Sequence, residues 1–459
     1  MKPRSPPTIL KFFTASLIAA MAIIAFHVTF SLRPDYYMPT EEQLVVVFHN
    51  ATKAQNVKRS KVHWCFFRNH MFKPMNILKN EFGFTDEVDP QSGDSWDLIF
   101  GGYPHCGIHP TERFDWNMEY GLNAHLSQQG WENLQHHQVW FPCMGCSHSY
   151  CNKRELCYLT REIDPSSCYV LPQDQHRLLE AMGMNDTGSN TTQQLWVVKE
   201  DSPEKHLHVG KGVHFIKSPD ELPSVEDQIN GTYLVQPLVR HRMLSGDYKR
   251  RHELRMYVSV TSTRPLRAYA YTAGMVGRFA NAAVDDANPL APCSIDMHGA
   301  RTQRKLGCDI QDEFSLTRPA NQIFEKLNLS LSDQSSFSEK INLLLAKILL
   351  NAQPVIKNHI VNKGIAKSGA TCFSFLRVDF AMTETLHPFI YEINEFPFAN
   401  EKGHFGQIQE QAYRELFRMI GLDKRPMIAS HRMKYEITNM GNWTPLVIDD
   451  VIYSRNILG

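Results

Sequence analysis

Two apolar runs in the last quarter of the chain carry polar groups that a buried strand has no ordinary use for. "FSFLRVDFAM" holds Asp379, and "FIYEINEFPFAN" holds Glu392 and Asn394. The intervening "TETLHP" is rich in turn formers, so the two runs are expected to pair as an antiparallel hairpin. With the turn centred between Thr385 and Leu386, Asp379 faces Glu392, and period-two alternation puts Asn394 on the Glu392 side. Like charges opposed across strands repel, so a positive group belongs between them. Two carboxylates and an amide form an all-oxygen donor set of the kind that takes Mg²⁺ or Mn²⁺, cations that often keep waters and bridge to phosphates. The competing reading is a wet sheet edge. The flanking Phe389, Ile390, Tyr391, Ile393 and Phe396 favour the metal, because apolar surroundings penalise unpaired charge.

A metal that bridges phosphates needs cations and backbone amides elsewhere in the chain. Lys199 ends the apolar run "LWVVK", and Gly210-Lys211-Gly212 makes a tight turn into "GVHFI". Glycines let a backbone approach a phosphate closely, and a strand-end lysine reaches it as a point charge. The turn is neither a G-x-G-x-x-G fingerprint nor a P-loop, and a plain hairpin is the alternative. In "KRRHELRMYVSV", Arg251, Glu253 and Arg255 alternate and therefore share a strand face. Arg255, followed by the most apolar part of that run, is expected to point into a cleft; a solvated edge is the alternative.

These candidates need a scaffold to hold them. The 459 residues are 42% hydrophobic and 21% charged, which suits two or three packed lobes. Lysine plus arginine and aspartate plus glutamate number 48 each, so no overall charge draws the chain to nucleic acid. Residues 33–190 read as an N-terminal α/β lobe containing a cysteine cluster, and the polar stretch Asn185 to Gln194 as a linker. Residues 191–275 read as a strand-rich central lobe, and 276–459 as a C-terminal lobe with the metal hairpin. Within the latter, a helix is expected from Phe337 to Ile360, and a closing helix that ends near Gly421.

The N-terminus differs. Residues 12–32 hold no charge except His27 and are long enough to span a bilayer, behind a short tail, residues 1–11, with Lys2, Arg4 and Lys11. The positive-inside bias predicts a single-pass type II protein with a lumenal catalytic domain; cleavage of the segment and a cytosolic helix are the alternatives. Six Asn-x-Ser/Thr sequons (Asn50, Asn185, Asn190, Asn230, Asn328, Asn442) agree with a lumenal, glycosylated chain. Ten cysteines, among them Cys143, Cys146, Cys151, Cys157 and Cys168, predict disulfides, with buried thiols or a zinc knuckle as alternatives.

Taken in order, the blocks "YVLPQD", "WVVK" with its G-K-G turn, "VQPL", "HELRMYVSVTSTRPLRAYAYTAGMVGRFA", "VDF" and "EINEFP" resemble the tubulin-tyrosine-ligase-like family over roughly residues 95 to 425. The resemblance implies an α/β (α+β) ATP-grasp architecture, two sheet-containing lobes clamping ATP. It assigns Lys199, Gly210, Lys211 and Gly212 to the ATP phosphates, and Val235, Gln236, Pro237 and Leu238 to a hinge beside the adenine. Asp379, Glu392 and Asn394 match the family's Mg²⁺ ligands, and Arg255 and Arg278 match arginines that hold phosphate and carboxylate.

The implied activity is ATP-dependent ligation of an amino acid, glutamate, to a protein carboxylate through an acyl phosphate, with tubulin-like acidic tails as acceptor. A lumenal ligase and a non-catalytic ATP-binding module are the competing expectations, and a cytosolic, microtubule-associated placement is the alternative to the lumenal one. Departures are visible: about four extra residues separate Lys199 from the glycine turn, and the family's Lys-Phe-Asp-Leu-Arg appears as Arg251-His252-Glu253-Leu254-Arg255. Glu200 stands where the family has proline after the lysine, Val209 replaces the basic residue before the glycine turn, and "MHGA" is the nearest text to the family's His-Leu-Thr-Asn block.

Overall fold

In the computed structural model of the chain, the described residues are 61–65, 72–86, 98–101, 139–141, 149–183, 194–200, 208–209, 212–230, 232–242, 250–285, 288, 290–295, 307–308, 317–362, 371–395, 403–422 and 429–453. They build three sheets. The first has five strands and only parallel pairings, in the order Thr371–Cys372, Val139–Phe141, Leu98–Gly101, Lys61–Cys65, Thr85–Asp86. Its apolar "LIFG" and "VWF" strands suit a parallel sheet covered on its faces. One edge strand comes from far along the chain, so this lobe is not closed by its own sequence segment.

The second sheet follows helix α1 (Lys153–Arg161), whose first turn is capped by Asn152 Oδ1 accepting from the Arg154 and Glu155 amides. It contains Tyr169–Leu171, β1 (Trp196–Glu200), β2 (Gly212–Ile216) and β3 (Tyr233–Pro237), with β1 between β2 and β3. Trp196 and Val198 enter its core with Leu171, Leu178, Ile216 and Val235. Alternation along β1 therefore turns Val197 and Lys199 to the other face.

The third sheet, of eight strands, is built around β4 (His252–Thr263). One edge of β4 pairs with β5 (Leu266–Tyr271) and β6 (Val276–Phe279). The other pairs with β7 (Ser374–Met382), which forms the expected hairpin with β8 (Pro388–Glu395). Helix α2 (Leu331–Asn362) covers one face. Its Phe337, Ile341, Leu345, Ile348, Leu349 and Ala352 recur at helical spacing and meet Leu254, Met256, Val258 and Val260 of β4. Helix α3 (Gly403–Met419) covers the other, with Tyr413, Leu416 and Phe417 against Tyr257, Phe373 and Phe375.

The structure differs from the sequence reading in several places. Helix α2 starts six residues before Phe337, where Ser330 and Asp333 cap each other: Ser330 Oγ accepts the Asp333 amide at 3.1 Å and Asp333 Oδ2 accepts the Ser330 amide at 3.2 Å. The helix ending near Gly421 does not close the fold. It is followed by α4 (Ala429–Thr438) and β9 (Trp443–Ile448), which pairs with β5 inside the third sheet.

Cys157–Cys168 and Cys293–Cys308 are disulfides, Cys151 and Cys372 are also bonded, and no free cysteine or metal-binding His/Cys/Asp/Glu group occurs among the described residues. Cys143 and Cys146 lie outside the described residues. The disulfide expectation therefore stands over the zinc knuckle for the described cysteines. Asn442, one of the six sequons, is exposed, and its Nδ2 donates to Glu415 Oε1 at 2.8 Å.

The membrane expectation needs correction. No helix among the described residues is long and apolar enough to cross a membrane. Even the 32-residue α2 carries Asp333, Glu339, Lys340, Lys347 and Lys357. The apolar segment 12–32, together with the tail before it and the linker at 185–193, lies outside the described residues.

Helix α4 is tied to the sheet by one carboxylate. Glu436, 2% exposed, accepts from Thr261 Oγ1 at 2.8 Å, Arg267 Nε at 2.9 Å and Tyr269 Oη at 3.0 Å. Burial, with the Glu436 charge acting in the same direction, raises the Tyr269 phenol above its ordinary range. Glu436→Ala would leave the buried Arg267 guanidinium facing the more distant Asp449, 3.7 Å away, in place of its hydrogen-bonded partner. A loss of about 3–5 kcal/mol in urea unfolding is expected, the usual cost of breaking a buried ion pair on one side.

Candidate active site

The face of β1 and β2 opposite their core, the end of β3, and the polar faces of β4, β7 and β8 enclose a cavity of about 330 Å³. That volume is within the range of small-ligand sites. Val197, Val213, Phe215 and Leu238 give it an apolar part. Lys153, Lys199, Arg251, Arg255, Arg278 and Arg377 line it against three carboxylates, Glu253, Asp379 and Glu392. A surplus of cations beside an apolar slot suits a ligand with a flat apolar end and several negative charges.

Register explains the polar end. Asp379 lies opposite Glu392 across the hairpin and opposite Arg255 on its other side, but the pairs nearer the turn, Met382 with Pro388 and Phe380 with Ile390, centre on Thr385, and a register shift between Asp379 and Phe380 is what brings Asp379 to Glu392. Arg377 lies opposite Asn394, and Glu253 opposite Arg278. Because residues two apart share a strand face, these side chains converge on one patch.

Arg255, 1% exposed, grips Asp379 with both ends of its fork, Nε to Oδ1 at 2.7 Å and Nη2 to Oδ2 at 3.1 Å. Phe405 at the start of α3 packs over its guanidinium, 5.4 Å from the ring centre. Arg278 Nε stands 3.5 Å from Glu253 Oε1. Burial would raise the Asp379 carboxyl, but Arg255, Arg377 and Arg278 together hold it below the usual carboxylate range. Glu253 moves the other way, raised by burial and by the Asp379 charge despite Arg278 and Arg255. Two neighbouring acids are thus pushed apart in proton affinity.

The other candidates divide. Lys199 reaches into the cavity, where its Nζ donates to Gln236 Oε1 at 2.8 Å and lies 5.9 Å from the Tyr391 ring centre. Of the four hinge residues, Gln236, Pro237 and Leu238 line the cavity while Val235 is turned into the sheet core. Pro237 has no amide hydrogen, and the Leu238 amide is already bonded to the Leu195 carbonyl at 2.7 Å. Gly212 has φ +74°, a conformation that favours glycine, as the tight turn requires. Gly210 and Lys211 lie outside the described residues. Asn394 donates to Glu392 Oε1 at 2.8 Å.

Two carboxylates and an amide oxygen on adjacent strands are chemically suited to a hard divalent cation. The group now lying between the carboxylates, however, is the Arg377 guanidinium, with Nη2 at 3.1 Å from Asp379 Oδ2 and 3.1 Å from Glu392 Oε1.

Several lining residues were not singled out in sequence. Arg377 and Tyr391 sit within the quoted strands, and the alternation that linked Glu392 with Asn394 also links Arg377 with Asp379. Lys153 sits on α1 and His241 in the loop after β3, and neither carries a local signal. His241 Nε2 and Tyr391 Oη are 2.9 Å apart, and burial lowers His241 well below the usual imidazole range and raises the Tyr391 phenol.

Burial, with Lys153 acting in the same direction, lowers the Lys199 ammonium to about 8. Below that pH the free protein presents a cation; above it a bound anion must bring a proton. Affinity for a fluorescent ATP analogue should therefore fall as pH rises from 8 to 9.5, approaching tenfold per unit. Lys199→Met should bind more weakly at pH 7 and show a flat profile.

Residues 136–426 match the tubulin-tyrosine ligase family model. Among curated relatives, the tubulin monoglutamylase TTLL4 of Mus musculus is 23% identical over 360 residues, 75% of this chain and 27% of the relative. The tubulin polyglutamylase TTLL6 of Mus musculus is 25% identical over 240 residues, 49% of this chain and 27% of the relative. The probable tubulin polyglutamylase TTLL2 of Homo sapiens is 24% identical over 343 residues, 70% of this chain and 52% of the relative. The chain thus spans between about a quarter and about half of the length of these relatives. The names of these relatives describe enzymes that glutamylate tubulin. With no membrane-crossing helix among the described residues, the lumenal type II placement is withdrawn. Matched by that model over well more than half of its length, the chain belongs to the tubulin-tyrosine ligase family.

Proposed function

We propose that this chain joins glutamate to a carboxylate on a tubulin-like acidic tail, using ATP and Mg²⁺. The observation that carries the reading is the cavity itself: an apolar slot leading to six basic side chains, with the buried Arg255–Asp379 pair at its polar end. Family membership and the glutamylase names of the relatives support the same reaction class.

The apolar part formed by Val197, Val213, Phe215 and Leu238 would take the nucleotide base. Lys199 and Lys153 would meet the phosphates, and Asp379, Glu392 and Asn394 would hold the divalent cation, which shields phosphate charge when bound. An acceptor carboxylate oxygen attacks the γ-phosphorus of ATP, the bond to the ADP oxygen breaks, and an acyl phosphate forms. The glutamate amine then attacks the acyl carbon, phosphate leaves, and the amine loses a proton.

No protein nucleophile is required. The work assigned to Arg255 and Arg278 is to orient carboxylate and phosphate oxygens and to stabilise the charge that develops on them. Arg255 suits it because Asp379 and Phe405 lock its side chain, so no reorientation is needed as charge develops.

The test is transfer of labelled glutamate to an acidic tubulin-tail peptide by purified protein with ATP and Mg²⁺. Transfer is expected to require all three components and to fall at least tenfold in Glu392→Gln, whose side chain is 37% exposed and whose loss should spare the fold. Asp379→Asn should be lower still. No transfer by the parent protein, or equal transfer by Glu392→Gln, would overturn the reading.

A further inference from the structure

Opposed carboxylates require a cation, and in this structure a side chain supplies it. Arg377 Nη2 lies 3.1 Å from Asp379 Oδ2 and 3.1 Å from Glu392 Oε1, with only 18% of the side chain exposed. Both Asp379 oxygens are already engaged, Oδ1 by Arg255 Nε and Oδ2 by the Nη2 atoms of Arg255 and Arg377. Glu392 Oε1 also accepts from Asn394 Nδ2. The donors assigned to the metal are therefore organised around a guanidinium.

We infer that Arg377 is a resident counter-ion that competes with the divalent cation for Asp379 and Glu392, so that metal binds well only together with nucleotide. Suppose a metal enters alone. Arg377 must then give up both carboxylates inside a cavity that already has more basic side chains than acidic ones. A displaced, poorly hydrated guanidinium with no anion to receive it is costly. Suppose instead that a triphosphate enters with the metal. The same guanidinium then gains phosphate oxygens as partners, and charge-assisted bonds replace those it lost. The cost is lifted only when both ligands are present, which is positive coupling between two sites. The assignment of these donors to a metal rests on the function proposed above, whereas the place of Arg377 between the carboxylates does not.

The test measures Mn²⁺ binding by electron paramagnetic resonance, with and without a non-hydrolysable ATP analogue. In the parent protein, affinity for Mn²⁺ should be at least tenfold higher with the analogue than without it. In Arg377→Met, affinity for Mn²⁺ alone should rise at least tenfold and the effect of the analogue should shrink correspondingly. Arg377→Lys keeps a charge but loses the planar fork, and should shift metal-alone affinity in the same direction by a smaller amount; it carries the comparison if the methionine variant does not fold. Metal-alone affinity that is unchanged or weaker in the folded variants would overturn the inference. That readout uses no nucleotide, acceptor or glutamate, so failure of the transfer reaction leaves it decisive.

Discussion

The buried Arg255–Asp379 pair is the interaction on which the site depends. It joins the middle strand of the largest sheet to the hairpin strand, at the register where Glu392 lies on the far side and Glu253 and Arg278 lie nearby. Burying two ions costs several kcal/mol each before their attraction returns anything, so such a pair is a poor means of gaining stability alone. It persists because apolar packing holds the strands regardless. Leu254, Met256, Val258 and Val260 are fully or nearly fully buried under α2, while Tyr257 packs under α3. The hydrophobic layers carry the fold and leave β4 free to place charge at 253 and 255.

The same division runs through the second sheet. Trp196 and Val198 fill its core, which leaves Val197 and Lys199 for the cavity. Alternation thus gives each strand a structural side and a chemical side. The cost appears in the proton affinities: burial lowers Lys199 and Arg278, while raising Glu253. A cavity whose groups are strained in this way in the free state has more to gain from an anionic ligand than a relaxed one.

Much of the site was legible because it depends on local rules. The hairpin and the pairing of Asp379 with Glu392 were both anticipated, but the turn centres on Thr385, and a register shift between Asp379 and Phe380 makes the pairing; period two then puts Asn394 beside Glu392. Short β-branched and aromatic runs marked the strands that carry Lys199, Gln236 and Arg255. The demand for a positive group between the acids was also legible, but its identity was not, since a metal and an arginine answer the same charge. Lys153 was hidden because nothing on a capped helix says which cavity its first residue will face. The edge strand at Thr371–Cys372 and the insertion of β9 beside β5 were hidden because strand order is set by packing between distant segments.

By itself, then, the sequence determined what adjacency and periodicity can determine: which strands form, which residues share a face, and which two strands join as a hairpin. Tertiary structure decided which of those faces meet. Bringing β4 alongside β7 gave Asp379 the Arg255 fork, and the face of β7 gave it Arg377 from two residues away. The physical reason is one of range. Side-chain direction along a strand is fixed by the backbone within a few residues. The partner that neutralises a buried charge is chosen by contacts that in this chain span 124 residues between Arg255 and Asp379.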